Sequence, residues 1–175
     1  MAEYHSLVRD GVLGEDDRVE LLGGTITAMT PHGVAHARAI CELTEHFAAT
    51  RGDAKLRVQL PLTLGDDSEP EPDLALVTLE EARRTDGHPR SALLVVEVAR
   101  ESLKRDRELK GAIYARAGVT EYWIVDVAAC AIEVHRDPGR DAGRYATVLR
   151  AVAPESLVPV AFPRAGLALN VLFEA

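Results

Sequence analysis

Glu97 stands inside an apolar run, Leu93-Leu94-Val95-Val96-Glu97-Val98-Ala99. A continuous apolar segment of this length predicts a strand covered on both faces. An ionised carboxylate there loses hydration worth on the order of several kcal/mol unless a cation or a donor compensates it. Upstream, Glu69-Pro70-Glu71-Pro72-Asp73 leads into Leu74-Ala75-Leu76-Val77. The prolines favour extended backbone at the residues before them, and alternate residues of an extended chain share a face. Glu69 and Glu71 read best as an acidic turn after Asp66-Asp67, and Asp73, at the head of the apolar stretch, as a site residue. Lys104 and Lys110 follow on a helical segment. Two carboxylates on neighbouring buried strands with a lysine nearby are what a divalent cation site acting on a phosphodiester requires. Mg²⁺ takes one or two protein carboxylates and completes its shell with water and phosphate oxygens. A lysine can orient or deprotonate the attacking water, or offset charge on the phosphate. Without the cation the two acids should repel, each raising the pKa of the other.

Each of these residues has a plainer explanation. Glu97 could bridge to a core arginine, sit at a strand end, or lie on a segment that is no strand. Lys110 could serve only an i,i+4 pair with Asp106, and Lys104 competes with it for the site. Glu20, beside Leu21-Leu22, could add a third acidic group. His32 and His36 are four apart at a helix start, which allows a zinc reading. No His-Glu-x-x-His pattern accompanies them, and a capping or packing role describes them better. Neither a glycine-rich phosphate loop nor a Gly-x-Ser-x-Gly nucleophile turn occurs.

The positioning elements follow from periodicity. Residues 2–12 read as a short amphipathic helix. Val19–Leu22 and Ile26–Met29 flank Gly23-Gly24, a hairpin signature. Pro31 opens a helix to about Thr50 with Ile40, Leu43 and Phe47 on one face. Leu56, Val58, Leu60, Leu62 and Leu64 alternate as a half-buried strand. Strands are expected at 69–77 and 92–99, then a helix over 101–117 with Leu109, Ile113 and Ala117 on a common stripe, ended by Gly118. Strands at 121–126, 131–136 and 144–150 come next, and apolar pieces beyond Pro154 cap the sheet. The strand, helix and strand over 95–126 resemble a parallel crossover.

The 175 residues, 47% hydrophobic and 27% charged, fit one domain over 1–175. Aromatics at 5% argue against a base-stacking single-strand binder. No apolar run approaches the ~20 residues of a membrane helix, and Met1-Ala2-Glu3-Tyr4-His5 lacks a signal-peptide layout, so a cytoplasmic location is expected. Cys41 and Cys130 form no Cys-x-x-Cys pair and read as small buried apolar residues. The net charge of −8 argues against indiscriminate nucleic-acid binding. Yet Arg100–Lys110 holds five basic residues against three acidic ones, directly after Glu97. That segment is either a solvated helix face or a phosphate-facing patch.

Read together, a series of motifs resembles a known family. In order they are Arg18-Val19-Glu20-Leu21-Leu22, Met29-Thr30-Pro31, His36, Ser68-Glu69-Pro70-Glu71-Pro72-Asp73-Leu74-Ala75, Val95-Val96-Glu97-Val98, Asp106-Arg107-Glu108 with Lys110, Tyr114-Ala115-Arg116-Ala117-Gly118 and Glu121-Tyr122-Trp123-Ile124-Val125-Asp126. Nearly end to end, the chain resembles the Uma-type restriction endonucleases of the PD-(D/E)XK nuclease superfamily. The resemblance implies an α/β, restriction-endonuclease-like fold with a mixed β-sheet flanked by α-helices. It implies Mg²⁺- or Mn²⁺-dependent DNA hydrolysis, with Asp73, Glu97 and the Val98 carbonyl as ligands and Lys110 as the lysine that migrated to the helix. Position 99, where the superfamily usually has its lysine, is alanine. Glu20, His36 and Lys104 become accessory residues, and Arg100, Lys104 and Arg107 candidates for DNA contact. A homodimer is expected, because cutting both strands of a duplex calls for two sites. The chain departs from the family pattern at Ala99-Arg100-Glu101 and at Leu22-Gly23-Gly24-Thr25. The alternatives are a catalytically silent nucleic-acid-binding or assembly module on the same fold, and a hydrolase of another phosphodiester.

Overall fold

The structure, a computed structural model, describes residues 1–173 apart from 15, 30 and 32; His32 therefore lies outside the described residues. The order is α1 (Ala2–Arg9), β1 (Val19–Leu22), β2 (Thr25–Ala28), α2 (Val34–Thr50), β3 (Lys55–Val58), β4 (Leu74–Val77), α3 (Leu79–Ala82) and β5 (Leu94–Ala99). Then come α4 (Leu103–Arg105), a π-helical turn (Asp106–Lys110), α5 (Gly111–Ala117), β6 (Glu121–Asp126), β7 (Ala131–Gly139), β8 (Arg144–Val152), β9 (Ser156–Leu157), β10 (Leu167–Ala168) and α6 (Leu169–Phe173). A six-stranded mixed sheet runs β3-β4-β5-β6-β7-β8. Only β5 and β6 are parallel, joined by the helical crossover that the pattern of 95–126 predicts. The other neighbours in that sheet are antiparallel.

Strands β4 and β5 are buried along their whole length, so alternation sends their side chains to opposite covered faces. Leu74, Leu76, Leu94, Val96 and Val98 share a core with Ile40, Leu43 and Phe47 of α2 and with the C-terminal Leu167, Leu169 and Leu172. Ala75, Val77, Val95 and Ala99 share the other with Ile113, Tyr114 and Ala115 of α5. Odd-numbered residues of β4 and β5 thus face α5. This parity decides where Asp73 and Glu97 point.

Several boundaries differ from expectation. α1 stops at Arg9, and the chain turns through Gly11 at φ 72°. α2 starts at Val34 with Gly33 at its N-cap rather than at Pro31. The alternating run 56–64 is a strand only to Val58, because Gln59 turns the chain with φ 50°. Leu62 and Leu64 are still buried, since the loop folds back through Leu62 N–H to the Pro70 carbonyl. The acidic segment is not a strand either: β4 begins at Leu74, and Glu69 instead pairs with Leu21 of β1. Cys41 and Cys130 are exposed, contrary to the buried reading. No described helix is long and apolar enough to cross a membrane.

The crossover helix carries the largest local departure. Residues 106–110 form a π turn between two α segments. A π turn inserts an extra residue into the helical repeat and is frequent at functional sites. Here it buries both Asp106 and Lys110, while Leu109, predicted on the apolar stripe, is 40% exposed. Gly118 ends the helix at φ 75°, a left-handed cap suited to glycine.

Candidate active site

The β4–β5 register sets Leu74 opposite Val96, and one step further brings Asp73 opposite Glu97. Directly opposed residues on antiparallel strands have Cβ atoms about 4.5–5.5 Å apart. Asp73 and Glu97 also share parity, so both side chains enter one cleft. Its walls include Glu20, His36, Glu71, Val98, Arg100, Asp106 and Lys110. Asp73, Glu97 and Lys110 are 6%, 5% and 3% exposed, so all three sit at its floor.

Glu97 Oε1 accepts from Lys110 Nζ at 2.9 Å and from the Tyr114 hydroxyl at 2.6 Å. Lys110 Nζ also lies 2.9 Å from Glu20 Oε2. Lys110, not Lys104, is therefore the lysine of this cleft; Lys104 is exposed and does not line it. Burial pulls the lysine pKa down, but Glu97, Glu20 and Asp106 outweigh it and hold the ammonium above the usual lysine range. Its partner moves the other way. Burial pushes the Glu97 carboxyl up to about 8; Lys110 opposes this, while Asp106, Asp73 and Glu20 add to it. The two shifts disagree on how ionic the contact is. One ammonium among several carboxylates reconciles them: the lysine stays charged, and the surplus negative charge is relieved by favouring a proton on Glu97.

Asp73 behaves differently from the mutual rise expected of the pair. Burial raises its pKa, but hydrogen bonding and charge from His36 and bonds from the Val98 N–H and Gln59 prevail and lower it. Val98 N–H donates to Oδ2 at 2.8 Å, and Gln59 Nε2 donates to Oδ1 at 3.3 Å. His36 Nε2 lies 3.2 Å from the same Oδ1. Asp73 is thus an anion held by donors, and Glu97 an acid that shares its one close cation, Lys110, with Glu20.

The remaining candidates separate by position. Arg100 lines the cleft from an exposed place on its rim. Arg107 does not; its guanidinium is bound to Glu133, which also lies outside the cleft lining, and this separates it from the patch to which it was assigned. Arg105, not singled out beforehand, lines the cleft and donates to the Ala28 carbonyl at 3.3 Å, joining the first hairpin to the helix. Glu69 leaves the acidic trio for His5 and Thr63. Glu71, read as part of the turn, is half-buried in the cleft, its pKa raised by burial and then by Glu20. Asp106 and Tyr114 belong to the motif series and stand four residues either side of Lys110, a spacing that already puts them on its side of a helix. Gln59 gave no signal.

Six carboxylates (Glu20, Glu71, Asp73, Glu97, Glu101 and Asp106) line the cleft, and Lys110 is the cation buried among them. Among the described residues no group of three or more His, Cys, Asp and Glu side chains forms a metal cage. A hard divalent cation held by two carboxylates and a carbonyl, with water and phosphate completing its shell, fits this charge balance. Asp73 retains acceptor capacity, because a carboxylate has about four lone-pair sites and three donors approach it.

An acid just before β4, another within β5, a lysine on the helix that follows, and a mixed sheet between helices make this a restriction-endonuclease-like α/β protein. The fold is similar to a crystal structure from Anabaena variabilis described as "a putative nuclease belonging to DUF820", with TM-score 0.76, 18% identity and 94% of each chain covered. The chain belongs to the Uma2 family, described as "Putative restriction endonuclease" and matched over residues 1–171. No curated protein matches it.

Proposed function

We propose that the protein hydrolyses DNA phosphodiester bonds with Mg²⁺ or Mn²⁺ held by Asp73, Glu97 and the Val98 carbonyl. The observation that carries this reading is the placing of Asp73 opposite Glu97 in one cleft, with Lys110 buried between Glu97 and Glu20. When bound, the cation offsets charge on the attacked phosphate and lowers the pKa of water.

The chain's own groups define the rest. Lys110 is held charged, so it acts as a donor and a positive charge rather than as a base. With two of its three N–H groups given to Glu20 and Glu97, the third can orient the attacking water or a phosphate oxygen. The water's proton passes to a carboxylate of the cleft, and Glu71, half-buried with a raised pKa, is suited to take it. Arg100 and Arg105, at the rim, receive the backbone phosphates flanking the scissile one. Membership of a family described as "Putative restriction endonuclease" supports DNA as substrate. Two copies would present two such clefts to the two strands.

Supercoiled plasmid incubated with Mg²⁺ or Mn²⁺ tests the proposal. Nicking by the wild type that is lost with EDTA, with Glu97→Gln and with Lys110→Met is expected. Nicking that survives all three changes, or a wild type inert with both metals, points instead to a binding or assembly role for the fold.

A further inference from the structure

Gln59 has φ 50°, a left-handed conformation uncommon outside glycine and costly for a long side chain. It sits where β3 leaves the sheet, one residue beyond the Val58–Leu74 pair. Its backbone N–H donates to the Asp73 carbonyl at 3.1 Å, and its side-chain Nε2 donates to Asp73 Oδ1 at 3.3 Å. Main chain and side chain of one residue thus grip both ends of one aspartate.

We propose that Gln59 is a positioning residue for Asp73, its strained backbone aiming the amide so that the carboxylate is fixed between Gln59 and the Val98 N–H. The inference rests on the reading of Asp73 as a cation ligand. A bend alone does not call for glutamine here. Glycine adopts the same φ without a steric cost, and the chain is fastened on both sides by Gln59 N–H to Asp73 and Leu62 N–H to Pro70. The amide is the part of Gln59 that the bend leaves unexplained, and Asp73 is what it meets. Strain tends to persist where the surroundings use it, and losing a group that orients a metal ligand typically costs roughly 10–100-fold in metal affinity.

The test is Mn²⁺ binding by the full chain, followed by the electron paramagnetic resonance of the free ion, together with unfolding curves. Gln59→Gly relieves the backbone and removes the amide. It is expected to be as stable as wild type or more so, yet to bind Mn²⁺ about tenfold or more weakly. Gln59→Asn also tolerates the left-handed backbone, but its amide is one methylene short of Asp73, and it should bind as weakly as the glycine variant. Gln59→Glu keeps the reach but opposes an acceptor to an acceptor. Its binding should differ from wild type as much as that of the glycine variant. A folded Gln59→Gly that binds Mn²⁺ as tightly as wild type overturns the proposal. If wild type itself binds no Mn²⁺, the cation reading of Asp73 fails separately. The positioning claim is then decided by a crystal structure of Gln59→Gly, a rotated Asp73 carboxylate supporting it and an unmoved one overturning it.

Discussion

Replacing Lys110 with methionine, a side chain of similar length without charge, removes the ammonium that Glu20 and Glu97 share at 2.9 Å each. Stranding a buried partner in this way costs about 3–5 kcal/mol. The variant can escape by protonating the stranded acids, and the expense of that depends on pH. With an unfolded-state pKa near 4.3, protonating a Glu costs only about 1 kcal/mol at pH 5 but about 5–6 kcal/mol at pH 8.5, at ~1.36 kcal/mol per unit. An acid whose folded pKa is raised contributes stability present below its unfolded pKa and lost as pH rises through the folded one. Burial already pushes Glu97 to about 8 in the wild type, and losing Lys110 pushes it further. In the wild type Lys110 stays charged across this window, because its pKa is raised as well. The gap between variant and wild type should therefore be small at pH 5 and reach its full size near pH 8.5. At about 2–4 °C per kcal/mol for a domain of this size, the full gap is ~6–20 °C in Tm. Thermal or urea unfolding without divalent cations, at both pH values, measures it. An equal gap at the two values, or a variant as stable as wild type at pH 8.5, would refute the reasoning.

Glu97→Gln keeps an acceptor for Lys110 and Tyr114 and removes the least tolerable charge, so it should match or exceed wild-type stability at pH 8, read by thermal melts, while losing the Tm rise on adding Mg²⁺ or Mn²⁺. Asp73→Asn should instead lose about 1–3 kcal/mol, because an amide N–H then meets the Val98 N–H or His36; urea unfolding without metal checks this. DNA affinity measured against salt should flatten by about 0.9 in log–log slope for each phosphate that the protein no longer neutralises. Arg100→Glu should show that flattening and Arg107→Glu should not, since Arg107 is held by Glu133 away from the cleft.

Much of the site was legible because it breaks the rules of its surroundings. Glu97 in an apolar run, Asp73 before another, and Lys110 on the next helix all lie in one cleft. The parallel crossover could be read from apolar runs around a helical repeat. Hidden were features set by pairing and backbone detail. No local pattern tells that β4 and β5 run antiparallel with Asp73 opposite Glu97, or that Asp73 is stabilised as an anion while Glu97 is not. The alternation of Leu60, Leu62 and Leu64 resembles a strand, yet Gln59 breaks it, because burying leucines does not require ladder hydrogen bonds. Likewise the stripe through Leu109 presumes 3.6 residues per turn, which the π turn alters. Arg107 looked like a phosphate ligand by its place in a basic run, but its partner is 26 residues away in sequence.

Anomalous diffraction from a crystal soaked in Mn²⁺ tests most directly whether this cleft is a cation site. The expected result is a peak in the cleft bonded to Asp73 and Glu97, absent in crystals of Glu97→Gln soaked alike. A well-ordered cleft with no peak between these carboxylates, or Mn²⁺ bound to other residues alone, would contradict it.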